Sequence, residues 1–145
     1  MLKFYELFFW LFLINNTYAT AVCNQKIKVS ATPLLIANHS QAQVYYIKNL
    51  TKQTLALDKI ASKKSMQAGW RSMLDAKRWS ALVVANLPFR LACFNQLNQQ
   101  ITCAKAIKIC RAAIDYAADS NYWVVENASY EAMVTKTQER AKLKS

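Results

Sequence analysis

Four cysteines, Cys23, Cys93, Cys103 and Cys110, carry the plainest covalent chemistry in this chain. They can pair as disulfides or ligate a metal. A structural zinc site draws on close pairs such as C-x-x-C, and the sequence has none. His39 is the single histidine, so any Ser-His-Asp or Cys-His arrangement would have to use it. No G-x-S-x-G, glycine-rich phosphate loop or H-E-x-x-H occurs. The carboxylates Asp58, Asp75, Asp115, Asp119, Glu126, Glu131 and Glu139 could in principle supply the two acids of a glycosidase. Their order along the chain singles out no pair. The sequence therefore points to a non-enzymatic protein with no cofactor and no metal.

Disulfides need an oxidising compartment, and the N-terminus supplies the route to one. Lys3 gives a positive start, Leu7 to Ile14 is an unbroken apolar run, and Asn15-Asn16-Thr17 is polar. Ala19-Thr20-Ala21 then matches the small-residue cleavage site of a secretory signal peptide. The expectation is a signal peptide over 1–21 and a single exported domain over 22–145, periplasmic or secreted. The apolar run falls short of the roughly 20 residues a membrane-spanning helix needs, so the mature chain is expected to have no transmembrane span. An even cysteine count behind such a signal implies two disulfides.

Three pairings are open. If Cys103 to Cys110 is helical, the two lie about 10.5 Å apart along the axis. That exceeds the limit of about 7 Å for a disulfide, and each would reach elsewhere, to Cys23 and Cys93. If the segment is a strand and turn, Cys103–Cys110 could close locally. A bridge from Cys23 would tie down an end that otherwise frays.

Charge is the more telling feature. The chain carries 19 Lys and Arg against 8 Asp and Glu, a formal net charge of +11. Such a surface favours an anionic partner: an acidic protein, a glycan or a membrane surface. Nucleic acid is not expected, because export separates the chain from it. The densest groups are Lys63-Lys64, Lys77-Arg78 and the C-terminal segment. Trp70 and Trp79 flank the basic turn Asp75-Ala76-Lys77-Arg78. Lys63, Lys64, Trp70, Arg71, Lys77, Arg78 and Trp79 are therefore the candidate binding residues.

Elements must position these groups, and Trp70 to Cys93 is the stretch around which the chain is organised. Trp70 to Leu74 alternates as a strand. Trp79 to Ala85 reads as a buried strand. Leu87-Pro88 interrupts it, because proline cannot donate to a ladder. Phe89, Leu91 and Cys93 alternate with Arg90 and Ala92. Lys26 to Val29 reads as an edge strand guarded by lysines. Leu34 to Ile36 is a further short apolar segment. Gln43 to Lys48 is a strong strand, Asn49 to Lys52 a turn and Thr54 to Asp58 a second strand, which together suggest a hairpin. The stretch 59–67 is a polar loop. Gly69 is placed for a tight turn or a close backbone approach.

Residues 101–114 fit both a helical face and a strand, and a strand or irregular piece is preferred. Tyr122 to Val125 is a strand that ends at Glu126-Asn127, where Asn127 can cap a helix. Tyr130, Met133, Val134, Thr137 and Ala141 then follow helical spacing. Asn38, Asn49 and Asn127 head N-x-[Ser/Thr] sequons. About seven short strands and one terminal helix make the chain mainly β. The expected architecture is a disulfide-stapled β-sandwich, or an α+β sheet, with a C-terminal helix.

The order W-R-S-x-L, W-S-A-L, F-R-L-A-C, two further cysteines, then Y-W-V-V-E-N before a helix resembles a known family. It is similar to the small exported enhanced-entry B-type proteins of Legionella- and Coxiella-type intracellular bacteria. The likeness spans roughly Gln43 to Arg140 and rests on Trp70, Trp79, Cys93, Cys103, Cys110 and Trp123. It implies an exported protein linked to host-cell entry or intracellular survival, with no assigned activity and no catalytic residues to carry over. The alternative from a different class is an envelope enzyme or enzyme inhibitor acting on cell-wall glycan.

Overall fold

A computed structural model describes residues 25–26, 34–36, 41–60, 68–85 and 89–144. The signal-peptide stretch, Cys23, the segment Ile27 to Val29, His39, the Asn38 sequon, the loop bearing Lys63 and Lys64, and the Leu87-Pro88 interruption lie outside the described residues.

The elements are β1 (Gln25–Lys26), β2 (Leu34–Ile36), β3 (Gln43–Asn49), β4 (Leu55–Ile60), β5 (Ala68–Leu74), β6 (Trp79–Val84), β7 (Phe89–Phe94), β8 (Gln100–Ile101), α1 (Cys103–Ala106), β9 (Ile107–Arg111), β10 (Tyr122–Ala128) and α2 (Tyr130–Lys144). They form two antiparallel sheets, one in the order β1-β9-β3-β6-β10 and the other β2-β7-β4-β5, with β8 pairing β7. The chain is a β-sandwich carrying a C-terminal helix, mainly β as expected, with more strands than the sequence pattern separates.

Two apolar layers hold it together. Between the sheets, Tyr45, Ile47, Leu55, Leu57, Leu74, Leu82, Val84, Phe89 and Leu91 pack into one core. On the outer face of the first sheet, Val44, Tyr46, Trp79, Ala81, Val83, Val124 and Met133 form a second core beneath α2 and residues 112–118. This explains the uninterrupted apolar runs in β3 and β6. A strand covered on both faces does not need the polar alternation of a half-exposed one, and β6 is buried along its whole length.

The β3–β4 hairpin is not formed. β3 pairs with β6 and β9, while β4 pairs with β5 and β7 in the other sheet. Residues 50–54 cross from one sheet to the other, and Leu55 and Leu57 meet Tyr45 and Ile47 face to face instead of side by side. Gly69 does not make the tight turn that was one of its two expected roles. It lies inside β5, and no glycine has positive φ. Among the described residues, those that turn left-handed are Lys77, Asn98 and Asn127, with φ of 63°, 58° and 50°.

The stretch 101–114 divides into the single turn α1 and strand β9, so Cys103 and Cys110 do not share a helix. Cys103 bridges Cys93 across the β7–β8 pairing, at a Cα separation of 5.4 Å. Local Cys103–Cys110 closure is thereby replaced. Cys110 is disulfide-bonded as well.

β10 continues past Asn127 to Ala128, and Ser129, not Asn127, caps α2. The Ser129 hydroxyl accepts from the Ala132 N–H at 3.3 Å, and its carbonyl accepts from the Met133 N–H at 2.9 Å. The helix then buries Met133 and Thr137 fully, on the face that the sequence spacing marks out. Arg140 donates to the Val124 carbonyl and ties the later turns to β10. No helix among the described residues is long and apolar enough to cross a membrane.

Tyr46 sits in the layer under α2, fully buried. Burial, first, and the neighbouring Tyr130, second, push its hydroxyl up to about 12 from the usual 10.0, against a smaller opposing effect of Thr137. Thr137 gives its own proton to the Met133 carbonyl at 2.7 Å, and the Tyr46 hydroxyl has no partner in hydrogen-bond geometry. The folded value lies above the unfolded one. This group's stabilising contribution is therefore whole below about pH 10 and is lost as pH rises towards 12. Tyr46→Phe should be close to neutral at pH 7, because it removes an unpaired buried hydroxyl. Denaturant midpoints measured from pH 9 to 12 should fall less steeply in the variant. Parallel curves would exclude Tyr46 from the alkaline transition.

Candidate anion-binding surface

The register of the first sheet sets three side chains in a row. Lys108 on β9 faces Lys48 on β3, and Lys48 faces Trp79 on β6. All three lie on the face that carries Val44 and Tyr46, since alternate residues of a strand share a face. The two ammonium groups stand over the Trp79 ring, Lys48 Nζ at 5.7 Å and Lys108 Nζ at 5.9 Å from its centroid. Tyr130, the first residue of α2, packs on the same indole with centroids 4.9 Å apart.

Like charges directly opposite on neighbouring strands oppose sheet formation. The indole face offsets part of that cost, at about 0.5–1 kcal/mol per exposed cation. Neither lysine pairs with a carboxylate among the described residues.

The loops at this end add further cations. The Asn49 N–H donates to the Arg78 carbonyl at 3.0 Å, and the Lys77 N–H donates to the Asn49 carbonyl at 3.1 Å. The Leu50 N–H donates to the Ala106 carbonyl at 2.8 Å. These bonds gather the β3–β4 crossover, the β5–β6 turn and α1. Lys52, Lys77, Arg78 and Lys105 are exposed on them.

Asp75 is the acid of the turn, and its carboxylate is already engaged. Asn127 Nδ2 donates to it at 2.9 Å and Thr54 Oγ1 at 2.9 Å. Those two bonds, Asn127 first, hold its carboxyl below the usual carboxylate range, with Arg78 adding a smaller pull. Asn127 also accepts from the Asp75 N–H, so it braces this turn instead of capping the helix.

The candidate binding residues are thus divided. Lys77 and Arg78 lie at the basic end, each donating to a backbone carbonyl: Leu50 at 2.5 Å and Asn127 at 3.3 Å. Trp79 is present too, but buried under the two lysines. Trp70 lies in β5, in the other sheet. Arg71 is also on β5, and its Nε and Nη2 donate to Asp58 at 2.7 and 2.8 Å. Its Nη1 donates to Asn98 at 2.9 Å, and its guanidinium lies 5.2 Å from the Phe94 ring centroid. Arg71 is therefore tied into its own sheet. Lys63 and Lys64 lie outside the described residues.

Sequence reasoning did not single out Lys48 and Lys108, because register alone brings them together. Each does break an apolar strand run, Y-Y-I-K and I-K-I. A lysine within a buried strand is the signal that could have marked them.

A concavity opens at the other end of the first sheet. It is a groove of about 1040 Å³ lined by Gln41, Gln43, Arg111, Asp115, Tyr116 and several alanines. Asp115 is its one carboxylate among the described lining residues. Tyr122 donates to the Tyr116 hydroxyl at 3.1 Å beside it. Burial, first, and that bond raise the Tyr116 pKa.

The fold and this basic end define a disulfide-bridged β-sandwich with a cationic surface. No family model, no curated protein and no solved structure matches the chain.

Proposed function

We propose that this chain is an exported, non-enzymatic binding protein whose basic surface engages an anionic partner outside the cytoplasm, in the periplasm or beyond it. The observation that carries this reading is the unneutralised row Lys108–Lys48 over Trp79, set among the loop cations of the same end. Facing two lysines across a sheet opposes sheet formation, and the indole offsets only part of that cost. An anion placed against them would relieve their repulsion. The net charge of +11 and the disulfide bridging support the same reading. The resemblance to the enhanced-entry B-type proteins supports a role linked to host-cell entry or intracellular survival.

The test has two parts. Intact mass of the protein from envelope and medium fractions should show loss of residues 1–21, with no thiol alkylated before reduction and four after it. The recovered protein should bind anionic cell-surface material, and that binding should weaken sharply between low and physiological salt. A full-length cytosolic protein with free thiols, or retention indifferent to salt, would sink the proposal.

A further inference from the structure

The basic end also carries most of the exposed apolar side chains, and this pairing points to the kind of anionic partner. We infer that this end of the sandwich docks on a bilayer containing anionic phospholipid, with Leu50, Met73 and Leu97 as apolar anchors among the cations. The inference rests on the reading just proposed.

Topology brings the anchors to one end. β3, β5 and β7 finish at Asn49, Leu74 and Phe94, while β4, β6 and β8 begin at Leu55, Trp79 and Gln100. The strands are antiparallel within each sheet, and the connections 50–54 and 75–78 link the two sheets. Among the described residues, four large apolar side chains are exposed, and three of them lie here. Leu50 is in the β3–β4 crossover, Met73 at the end of β5 and Leu97 in the β7–β8 turn, exposed by 38%, 53% and 77%. The bond from Arg71 to Asn98 draws the turn bearing Leu97 towards β5. The fourth, Leu143, lies in the last turn of α2.

Cations accompany the anchors. The Lys77 ammonium donates to the Leu50 carbonyl at 2.5 Å. Lys52 and Arg78 are exposed on the same two connections. The Leu50 N–H bond to the Ala106 carbonyl brings in α1 and its exposed Lys105.

The placement favours a flat partner. Lys48 and Lys108 stand on the outer face of the first sheet. Met73 alternates with Leu74, which packs between the sheets, so it stands on the outer face of the second. A partner that meets both must lie across the whole end. A bilayer does so without a shaped counterpart: its headgroups take the cations and its acyl boundary takes the apolar side chains. A protein interface gathers its anchors at one well-packed centre, whereas these three sit on separate connections. A soluble polyanion engages cations by counterion release and gives the apolar side chains nothing to enter.

The test uses the exported protein with its disulfides intact and four probes: vesicles of mixed phosphatidylglycerol and phosphatidylcholine, vesicles of phosphatidylcholine alone, polyglutamate and a heparin-derived octasaccharide. Co-sedimentation should show salt-sensitive binding to the mixed vesicles and little to the neutral ones. Lys48→Gln/Lys108→Gln should weaken mixed-vesicle binding at least about tenfold. Met73→Ser/Leu97→Ser should weaken it at least about fivefold, while any binding to polyglutamate or the octasaccharide stays within about twofold. Leu143→Ser, an equal loss of exposed apolar surface elsewhere, should change vesicle binding less than about twofold. All the substituted side chains except those of the two lysines are exposed, so thermal midpoints of the serine variants should stay within about 2 °C of the parent.

Unchanged vesicle binding in Met73→Ser/Leu97→Ser would overturn the inference. So would an equal effect of Leu143→Ser, or neutral vesicles held as tightly as anionic ones. An equal loss of polyglutamate binding in Met73→Ser/Leu97→Ser would assign the anchors to an acidic protein instead. If a soluble polyanion or anionic cell material is held in a salt-sensitive way while the mixed vesicles are not, the bilayer inference falls and the broader function stands. If nothing anionic is held, both fall.

Discussion

Asn49→Ala is expected to lower the unfolding free energy by about 3 kcal/mol, because it strips the buried Leu74 carbonyl and the part-buried Gln53 carbonyl of their donor. Asn49 is fully buried at the end of β3. Its Nδ2 donates to the Gln53 carbonyl at 2.7 Å and the Leu74 carbonyl at 2.9 Å. Its Oδ1 accepts from the Thr51 N–H and hydroxyl, both at 2.8 Å. Every hydrogen-bonding site of the amide is therefore filled. The backbone of the same residue bonds both ways with the β5–β6 turn.

One side chain thus closes the crossover between the sheets and docks it on the neighbouring turn. Alanine leaves the Leu74 carbonyl buried without its side-chain donor. Aspartate should be no better, since it aims a carboxylate at two carbonyl oxygens. Urea unfolding followed by tryptophan fluorescence should show the loss, with a thermal midpoint lower by roughly 10 °C. A cost below about 1 kcal/mol would mean that the loops hold their place without the amide. Asn49 also heads a sequon, but its Nδ2 is committed and buried, so the folded chain does not present it to a glycosylating enzyme.

Asn49 marks where sequence reading stops. The polar stretch 49–52 was legible as a turn, Gln43 to Lys48 as a strand and Trp79 to Ala85 as a buried strand. A turn signal, however, is satisfied equally by a hairpin within one sheet and by a crossover between two. The choice depends on what faces Leu55 and Leu57, and those partners are distant in sequence. Asn127 failed for a related reason. As a residue type it suits a helix cap, but Ser129 lies closer to the first helical turn and Asp75 claims the amide of Asn127. Lys48 and Lys108 are sixty positions apart, and only the β3–β9 register makes them neighbours. The cysteine count implied bridges, yet only the β7–β8 pairing shows why Cys93 takes Cys103.

Arg71→Ala is expected to cost about 2 kcal/mol in stability while leaving anion binding within about twofold of the parent. Arg71 and Asp58 face each other in register across β5 and β4. Their exposures are unequal: the arginine side chain is 42% exposed and the aspartate 7%. Removing one member of a fully buried pair costs about 3–5 kcal/mol. Solvent at the guanidinium lowers that figure here.

The inequality fixes the order of the variants. Arg71→Ala strands a buried carboxylate, whereas Asp58→Ala strands a guanidinium that water already reaches and that keeps its bond to Asn98. Arg71→Ala should therefore be the more damaging of the two, and the double variant should cost less than their sum. Equal single costs with additive behaviour would show that the two residues act independently. A large loss of anion affinity in Arg71→Ala, at unchanged fold, would extend the binding surface onto the second sheet. The guanidinium's three contacts argue otherwise: its donors are already turned towards Asp58 and Asn98, and its plane lies by Phe94. A cation so committed would have to give up protein partners before it could take an anion. Lys48 and Lys108 would give up only their mutual repulsion and a weak hold on an indole.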